Sequence, residues 1–238
     1  MRGRKNVPWR VFGSMPGNLR PGRWGGEEPT SASQITPAMK HRYFLMRHGE
    51  SEAMLADLVV SSPEIGCHRY GLSPQGKEQA RVSALQSGLG ADTRILCSDF
   101  VRARETAQIA AEVLGCPPPV LEPALRERHF GQLEGTSAAS YQQVWQQDAL
   151  DPDSPPFGVE SARQVTRRLS QLVEQLESAG GAQTFLLVGH GDPLRFLQMW
   201  AAGLPLSQSI PHFGPAEIRP LDLERVPKAT GQRPDHHT

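Results

Sequence analysis

Two short strings in this chain place a histidine and a glycine directly after a run of residues typical of a buried strand. The first string is Arg47-His48-Gly49-Glu50, and the second is Gly189-His190-Gly191-Asp192. The runs before them are Tyr43-Phe44-Leu45-Met46 and Thr184-Phe185-Leu186-Leu187-Val188. Open α/β sheets bind ligands at the carboxyl ends of their strands. Two imidazoles brought together there, with arginine beside them, suit phosphate chemistry better than metal binding.

Two further segments carry residues that the same chemistry needs. Arg102 lies in the segment 98–107 after a third short strand, and Glu127 lies in the glycine-containing loop 125–135. Alone, a histidine is more often a core or surface residue, and an arginine on a helix is more often a solvated charge. Together the four segments favour a site where guanidinium groups bind phosphate and a carboxylic acid lies nearby. Gly49 is interpreted as a position where a substrate approaches the backbone.

These four segments, in this order, resemble the histidine phosphatase superfamily, in the branch that contains cofactor-dependent phosphoglycerate mutases and fructose-2,6-bisphosphatase-like enzymes. The resemblance covers about residues 41–223, which is most of the chain. It implies that His48 is the nucleophile that becomes phosphohistidine and that Glu127 is the general acid. Covalent capture of this kind divides one difficult displacement into two easier ones.

The resemblance also implies which residues surround the phosphoryl group. Arg47, Arg102 and His190 hold its oxygens, and His190 is counted among the catalytic residues. We assign Gly191 to phosphate binding as well. A phosphomonoester carries roughly two negative charges, so cationic donors must surround it, and the same cations disfavour protonation of His48. No metal ion and no other cofactor is expected, because the arginines supply positive charge and the histidine spacing matches no metal-ligand motif.

The chain departs from the family pattern at several positions near the predicted site. Met54 stands where the family commonly has an asparagine that donates to the phosphoryl group, and a thioether cannot donate. Asp192 stands where mutases usually have asparagine, Phe130 where they tend to have tyrosine, and Ala138 where they tend to have a substrate-binding lysine. A mutase must retain and reorient a bisphosphate, so it needs cations at both ends. These departures favour a phosphomonoester hydrolase that acts on a small phosphorylated metabolite.

Two other functions remain as alternatives. A phosphoglycerate mutase-type phosphotransferase would need compensating cations, which Arg69, Arg126 or Arg128 would have to supply. A catalytically silent, phosphate-binding regulatory module would be expected to have lost one of the three catalytic residues, and the chain keeps all of them.

The sequence does not specify the substrate. Tyr70, Tyr141 and Trp145 lie in the segments 51–71 and 130–158 that flank the predicted site. Either their aromatic surfaces bind a sugar or a nucleoside, or they form the apolar core of a lid; we favour the lid. The oligomeric state is not specified either.

The elements that position these segments alternate along the chain, strand after helix, which predicts a mostly parallel sheet. We therefore predict an α/β fold, a three-layer sandwich with helices flanking the sheet, and the resemblance adds that it is phosphoglycerate mutase-like. The first helix is predicted to begin at Ser73, a good N-cap residue, with Ala80, Leu85 and Leu89 on its buried face. The other predicted elements are strands 42–46, 95–97, 184–188 and 218–223, and helices 99–114, 159–179 and 193–202.

The chain has 238 residues, enough for one sizeable core with an appended segment. Residues 1–39 are rich in Gly, Pro, Arg and Ser without periodic apolar residues, so we predict a disordered, basic extension. It is either dispensable or a targeting segment, and we favour the first because its prolines and glycines interrupt any amphipathic helix. Residues 40–224 are predicted to form the catalytic domain, and residues 225–238 a polar tail.

Composition limits the partners of this chain. The formal net charge is zero, with 25 Lys and Arg against 25 Asp and Glu, so no bulk affinity for nucleic acid is expected. No apolar run reaches the roughly 20 residues that cross a bilayer, so no membrane association is expected. The three cysteines are scattered and odd in number, which favours a reducing compartment and a cytoplasmic location. The expected partner is a small-molecule phosphomonoester substrate.

Overall fold

The computed structural model describes residues 39–221, which fold around a five-stranded sheet. The strands are β1 (Arg42–Arg47), β2 (Arg94–Cys97), β3 (Val120–Leu121), β4 (Thr184–Gly189) and β5 (Ile218–Pro220). Their order across the sheet is β3-β2-β4-β1-β5. β5 runs antiparallel to β1 and the other pairings are parallel, which confirms the predicted mostly parallel sheet.

Seven α-helices accompany the sheet within the described range. They are α1 (Glu52–Leu55), α2 (Pro63–Gly66), α3 (Pro74–Gln86), α4 (Val101–Leu114), α5 (Tyr141–Leu150), α6 (Ala162–Glu177) and α7 (Gly191–Ala201). Short 3-10 turns occur at Pro123–Leu125, Gly131–Leu133 and Ala138–Ser140. Helices α3, α4, α6 and α7 correspond to predicted helices, whereas the sequence analysis does not predict α1, α2, α5 or β3.

The central strands are buried on both faces, which produces the three layers of the fold. Alternate residues of a strand point to opposite faces of a sheet. On one face Leu45 and Leu187 pack with α6 and α7, and on the other Met46 and Leu186 pack with α3 and α4. All four side chains are fully buried. The predicted α/β three-layer sandwich is therefore confirmed.

Helix α6 begins later than its apolar pattern predicts, because a capping box fixes its first turn. The Ser161 hydroxyl accepts from the backbone N–H of Gln164, and the Gln164 side chain accepts from the backbone N–H of Ser161. The helix starts at Ala162 rather than at the predicted Val159. The buried residues then follow at helical spacing as predicted, which places this helix against the sheet.

The predicted buried face of α3 is partly wrong. Ser73 caps the helix as predicted, and Ala80 is fully buried. Ala84, four residues after Ala80, shares that buried face, whereas Leu85 is 60% exposed. One further residue rotates the side chain by about 100° around the helix axis, which carries Leu85 away from the sheet. Leu89 lies past the end of the helix and is only partly buried.

Several predictions concern segments outside the described residues. These segments are residues 1–38 of the predicted extension, residues 222 and 223 of the last predicted strand, and the predicted tail 225–238. Between residues 39 and 221, no helix has both the length and the apolar character that crossing a membrane requires.

Candidate active site

A pocket of about 400 Å³ opens where β1, β2 and β4 end. Five of the six residues that the sequence assigns to the site line this pocket: Arg47, His48, Arg102, Glu127 and Gly191. The sixth, His190, is fully buried directly before Gly191, and its ring centroid lies 5.2 Å from that of His48. The structure thus brings all six predicted residues together at the carboxyl edge of the sheet.

Two hydrogen bonds define the tautomer of the His48 ring. Its Nδ1–H donates to the carbonyl oxygen of Gly49 at 2.7 Å, and the Nε–H of Arg102 donates to its Nε2 at 3.2 Å. A carbonyl only accepts and a guanidinium only donates, so the proton lies on Nδ1 and the lone pair on Nε2. Burial, and then the charges of Arg102 and Arg47, hold the pKa of His48 well below its usual value. The ring is therefore neutral at pH 7 and retains a nucleophilic nitrogen.

The packing of the backbone requires a glycine at position 49, which accounts for this residue without the predicted approach of a substrate. A Cβ atom on Gly49 would overlap the carbonyl oxygen of Gly76 in the first turn of α3. A Cβ atom on Gly76 would in turn overlap the carbonyl oxygen of Glu50. The two backbones are in direct contact, and only glycine permits this approach. Both glycines therefore fix the position of the loop that carries His48.

Two arginines flank His48, and each keeps a buried N–H group without a partner among the described residues. Nη2 of Arg102 donates to the carbonyl oxygen of Val60 at 2.9 Å, while its Nη1 has no acceptor. Nη1 of Arg47 donates to the carbonyl oxygen of Phe213 at 2.6 Å, while its Nε has no acceptor. Leaving a buried donor unsatisfied costs about 1–3 kcal/mol, and more for a charged group. A bound anion would remove that cost, so the pair is suited to hold phosphoryl oxygens.

His190 is the N-cap residue of α7, directly before Gly191. Its Nε2 lies 2.9 Å from the hydroxyl of Ser98, and its Nδ1 has no partner within residues 39–221. Burial, and then the charge of Arg102, hold the pKa of His190 well below its usual value. No side chain caps the first turn of α7, so its backbone N–H groups and the positive end of its dipole are available to an anion.

Glu127 places a carboxyl group with an altered pKa beside the two histidines. Its Oε2 lies 3.9 Å from Nδ1 of His190, and its Oε1 accepts from the backbone N–H of Arg128 at 2.9 Å. Burial, reinforced by the carboxylate of Asp192, raises the pKa of Glu127 to about 7. A carboxyl group with this pKa can both give and take a proton near neutral pH, which general acid-base catalysis requires.

A buried ionic network holds α5 against the pocket. Arg128 is fully buried and donates to both carboxylate oxygens of Asp148 in α5, at 2.6 and 2.8 Å. Trp145, one turn earlier in α5, donates its indole N–H to the carboxylate of Asp192 at 3.0 Å. Asp192 also lies 3.6 Å from Arg128. Helix α5 is therefore tied both to the loop that carries Glu127 and to the first turn of α7.

Two other polar residues of the loop around Glu127 lie outside the pocket lining. Oε2 of Glu134 accepts from the backbone N–H and the hydroxyl of Ser61, at 2.8 and 2.5 Å, so this carboxylate holds a neighbouring loop. His129 is exposed, and its Nδ1 accepts from the backbone N–H of Gly131 at 3.2 Å. A glutamate and a histidine also belong to the predicted catalytic set. Glu134 and His129 are therefore matched controls, outside the pocket lining, for substitutions of those catalytic residues.

The pocket also contains residues that the sequence analysis leaves open or does not identify. Tyr141 and Trp145 line it, whereas Tyr70 is not part of its lining. Tyr141 also packs edge-on against Phe130 at 4.7 Å, so it belongs both to the apolar core below α5 and to the pocket wall. His212, from the segment before β5, lines the pocket as well. No motif surrounds His212, so the sequence carries no signal that would have identified it.

The charged groups that line the pocket are Arg47, Arg102, Glu127 and Asp192. In the part of the chain that the structure describes, no group of three or more His, Cys, Asp and Glu residues is placed to hold a metal ion. The positive charge that the described residues offer a phosphate therefore comes from the two guanidinium groups and the first turn of α7. Independence of metal ions stays a prediction that needs an activity measurement.

Comparison with known proteins yields a family model and a set of relatives. The family model described as the histidine phosphatase superfamily (branch 1) matches residues 43–226. A probable phosphoglycerate mutase of Photorhabdus laumondii is 34% identical over 167 residues, which cover 68% of this chain and 75% of that protein. An adenosylcobalamin/alpha-ribazole phosphatase of Salmonella typhimurium is 30% identical over 179 residues, which cover 68% of this chain and 83% of that protein.

A similar fold occurs among solved structures. The structure of a mycobacterial glucosyl-3-phosphoglycerate phosphatase in complex with VO3 superimposes with a TM-score of 0.65. The match has 24% sequence identity and covers 76% of this chain and 92% of that chain. This similarity agrees with the predicted phosphoglycerate mutase-like fold, and all six predicted site residues lie inside the range that the family model matches.

Proposed function

The chain belongs to the histidine phosphatase superfamily, and we propose that it is a phosphomonoester hydrolase that acts through a phosphohistidine intermediate on a small phosphorylated metabolite. One observation carries the proposal. The neutral ring of His48 keeps its lone pair on Nε2 beside Arg102, in a pocket that also holds a carboxyl group with a pKa of about 7. We assign this activity to residues 40–224.

In the first step, the Nε–H of Arg102 moves from Nε2 of His48 to a phosphoryl oxygen. The freed lone pair of Nε2 then attacks the phosphorus atom, and the bond from phosphorus to the ester oxygen breaks. Arg47, Arg102, His190 and the first turn of α7 hold the three phosphoryl oxygens, whose charge they stabilise through the transition state. The protonated carboxyl group of Glu127 gives its proton to the leaving alkoxide. The products of this step are the free alcohol and a phosphohistidine.

In the second step, the carboxylate of Glu127 takes a proton from a water molecule, whose oxygen attacks the phosphorus atom. The bond between Nε2 of His48 and phosphorus breaks, and its electron pair returns to the ring. Inorganic phosphate leaves, and Glu127 is again protonated. One carboxyl group thus serves as acid and then as base, and a pKa near neutral suits both roles.

The cations outside the pocket favour a hydrolase over a mutase. Arg126 is engaged by both carboxylate oxygens of Asp99, at 2.8 and 2.5 Å, and Arg128 is engaged by Asp148. Neither of them nor Arg69 lines the pocket. Arg47 and Arg102 are the arginines that line the pocket among the described residues, so a second phosphate group would meet no further guanidinium in that lining. This argument applies although several relatives, that of Photorhabdus laumondii among them, are named phosphoglycerate mutases or probable phosphoglycerate mutases.

A panel of phosphate monoesters, assayed for phosphate release with and without 2,3-bisphosphoglycerate, tests the proposed function. We expect release from at least one small monoester without any need for the bisphosphate. Interconversion of phosphoglycerates faster than phosphate release would assign the mutase activity instead. Phosphate binding without release from any ester would assign the silent regulatory module.

Treatment with EDTA is expected to leave the rate of phosphate release unchanged. In this pocket the guanidinium groups of Arg47 and Arg102 supply the positive charge that Mg²⁺ supplies in other phosphotransferases. The measurement is kcat/KM before and after dialysis against EDTA, followed by addition of Mg²⁺ or Zn²⁺. Loss of activity that either ion restores would contradict a metal-independent mechanism.

Replacement of Met54 by asparagine is expected to raise kcat/KM several-fold. Met54 lines the pocket, and its thioether cannot donate a hydrogen bond, whereas an amide can bind a phosphoryl oxygen. The matched control is Leu55→Asn, because Leu55 is the next residue of α1 and does not line the pocket. No gain in Met54→Asn relative to this control would mean that α1 is placed differently from the same segment in relatives with asparagine there.

A further inference from the structure

Beyond the catalytic and phosphate-binding groups, most residues of the pocket lining are aromatic or apolar, and Ser51 and Asp192 are the polar ones. Tyr141 and Trp145 stack with ring centroids 5.6 Å apart and planes 10° apart, and His212 packs on Trp145 at 4.4 Å. These three residues are named the aromatic row. Apolar side chains supply most of the remaining lining: Ala53, Met54, Leu58, Val60 and Ala138.

The aromatic row is held in place before any ligand binds. Tyr141 packs edge-on against Phe130, which is fully buried. Trp145 is held by its hydrogen bond to Asp192, and the guanidinium of Arg195 lies 5.9 Å from its ring centroid. Rings that are already ordered lose little conformational entropy when a ligand packs on them. The row is therefore a preformed surface for a flat group.

Apart from the phosphate-binding arginines, the described residues that line the pocket around the aromatic row offer no guanidinium to a second anion. Burial, and then the charge of Arg195, lower the pKa of His212, so the row is uncharged at neutral pH. The charged group of the lining that contacts the row is the carboxylate of Asp192. Arg195 does not line this pocket and lies 3.6 Å from Asp192. A carboxylate placed on the row would thus be desolvated beside another carboxylate.

We propose that the site takes phosphate monoesters whose alcohol part is uncharged and carries a flat, apolar group that packs on the aromatic row. This inference rests on the proposed function, because it names the alcohol part of the ester whose phosphate the arginines hold. A flat apolar group gains from leaving water and from contact with aromatic rings. Phosphorylated hydroxy acids and amino acids, which bear a free carboxylate, are poor substrates for the same reason.

Three primary alkyl phosphates test this inference with the full chain: n-butyl phosphate, 3-phenylpropyl phosphate and 4-phosphooxybutanoate. The leaving group is a primary alkoxide in all three, so differences in kcat/KM report the distal group. We expect the phenyl ester to exceed the butyl ester by about tenfold. We expect the carboxylate ester to fall about tenfold below the butyl ester.

Variants of the pocket wall show whether these residues cause the preference. Trp145→Leu and Tyr141→Leu are expected to bring the ratio of phenyl to butyl ester close to one, since each removes a ring of the row. Asp192→Asn is expected to raise the ratio of carboxylate to butyl ester. Leu150→Ala is the matched control on α5, because Leu150 is 82% exposed and outside the pocket; both ratios are expected to stay unchanged.

Binding of the three corresponding phosphonates, measured by calorimetry, separates this inference from the proposed function. If no ester is hydrolysed but the phosphonates bind in the order phenyl, alkyl, carboxylate, the hydrolase proposal fails and the ligand class stands. An equal or reversed order of binding overturns the inference, whatever the rate of hydrolysis. A phenyl preference that survives in both Trp145→Leu and Tyr141→Leu overturns it as well.

Discussion

Replacement of His48 by alanine is expected to abolish phosphate release and covalent labelling together. The rate should fall by a factor of about 10⁴ or more, because the variant has no nitrogen to attack phosphorus. In the unaltered protein, rapid quenching during turnover of a radiolabelled monoester should trap phosphate that is labile in acid and stable in alkali. The label should be absent from His48→Ala. The thermal unfolding temperature of this variant should match that of the unaltered protein, which shows that the fold is retained.

Two further histidine variants make this experiment decisive. His129→Ala is the matched control, because His129 lies two residues after Glu127 but is exposed and outside the pocket; labelling and turnover should persist. His190→Ala should turn over slowly and still form the label, since His190 is assigned to hold phosphoryl oxygens. Label that persists in His48→Ala and disappears in His190→Ala would move the nucleophile to His190.

The position of the site was predictable because it follows from strand order and motif together. β1 and β4 are parallel neighbours, and Arg47 is in register with Gly189. His48 and His190 follow these two residues and therefore emerge side by side, although they lie far apart in the chain. Parallel strands end at the same edge of a sheet, so a motif after each strand predicts that the two histidines share that edge, and the adjacency of β1 and β4 brings them into contact.

The wall of the pocket was not predictable in the same way. The chain before α5 forms no side-chain cap at Ser140, and the place of this helix depends on the pair between Arg128 and Asp148. This ion pair joins a loop residue to a helix residue 20 positions later in the chain, and no local sequence pattern predicts such a pair. His212 reaches the pocket from an irregular segment in which no spacing rule applies. The function of Gly49 likewise depends on Gly76, whose contact with it only the packing of α3 reveals.

Replacement of Glu127 by glutamine is expected to lower kcat/KM for alkyl phosphates by about 10²- to 10⁴-fold. The amide keeps the shape of the side chain but cannot give a proton to an alkoxide. An ester whose leaving group needs no proton, such as 2,4-dinitrophenyl phosphate, should lose far less in the attack step. The measurement is the ratio of kcat/KM for the two kinds of ester in the variant and in the unaltered protein.

The pH profile provides an independent measure of the same group. Because burial and Asp192 raise the pKa of Glu127 to about 7, its acid form is present below that pH and is lost above it. For an alkyl ester, kcat/KM should therefore fall by about tenfold per pH unit above pH 7. Asp192→Asn removes a charge that raises this pKa, so the fall should begin at a lower pH. In Glu127→Gln the fall should be absent.

The carboxylate of Glu134 separates loss of an acid from damage to the loop. Glu134→Gln weakens the bonds to Ser61 and is expected to lower thermal stability, yet the dependence on leaving group and on pH should match the unaltered protein. The contrary result for Glu127→Gln is an equal loss of activity with alkyl and dinitrophenyl esters, with the pH profile of the unaltered protein. That result would mean that Glu127 only shapes the pocket. A selective loss of kcat/KM with alkyl esters, together with a flattened pH profile above pH 7, requires proton transfer from Glu127. A change in the shape of the pocket alone does not distinguish leaving groups by their basicity.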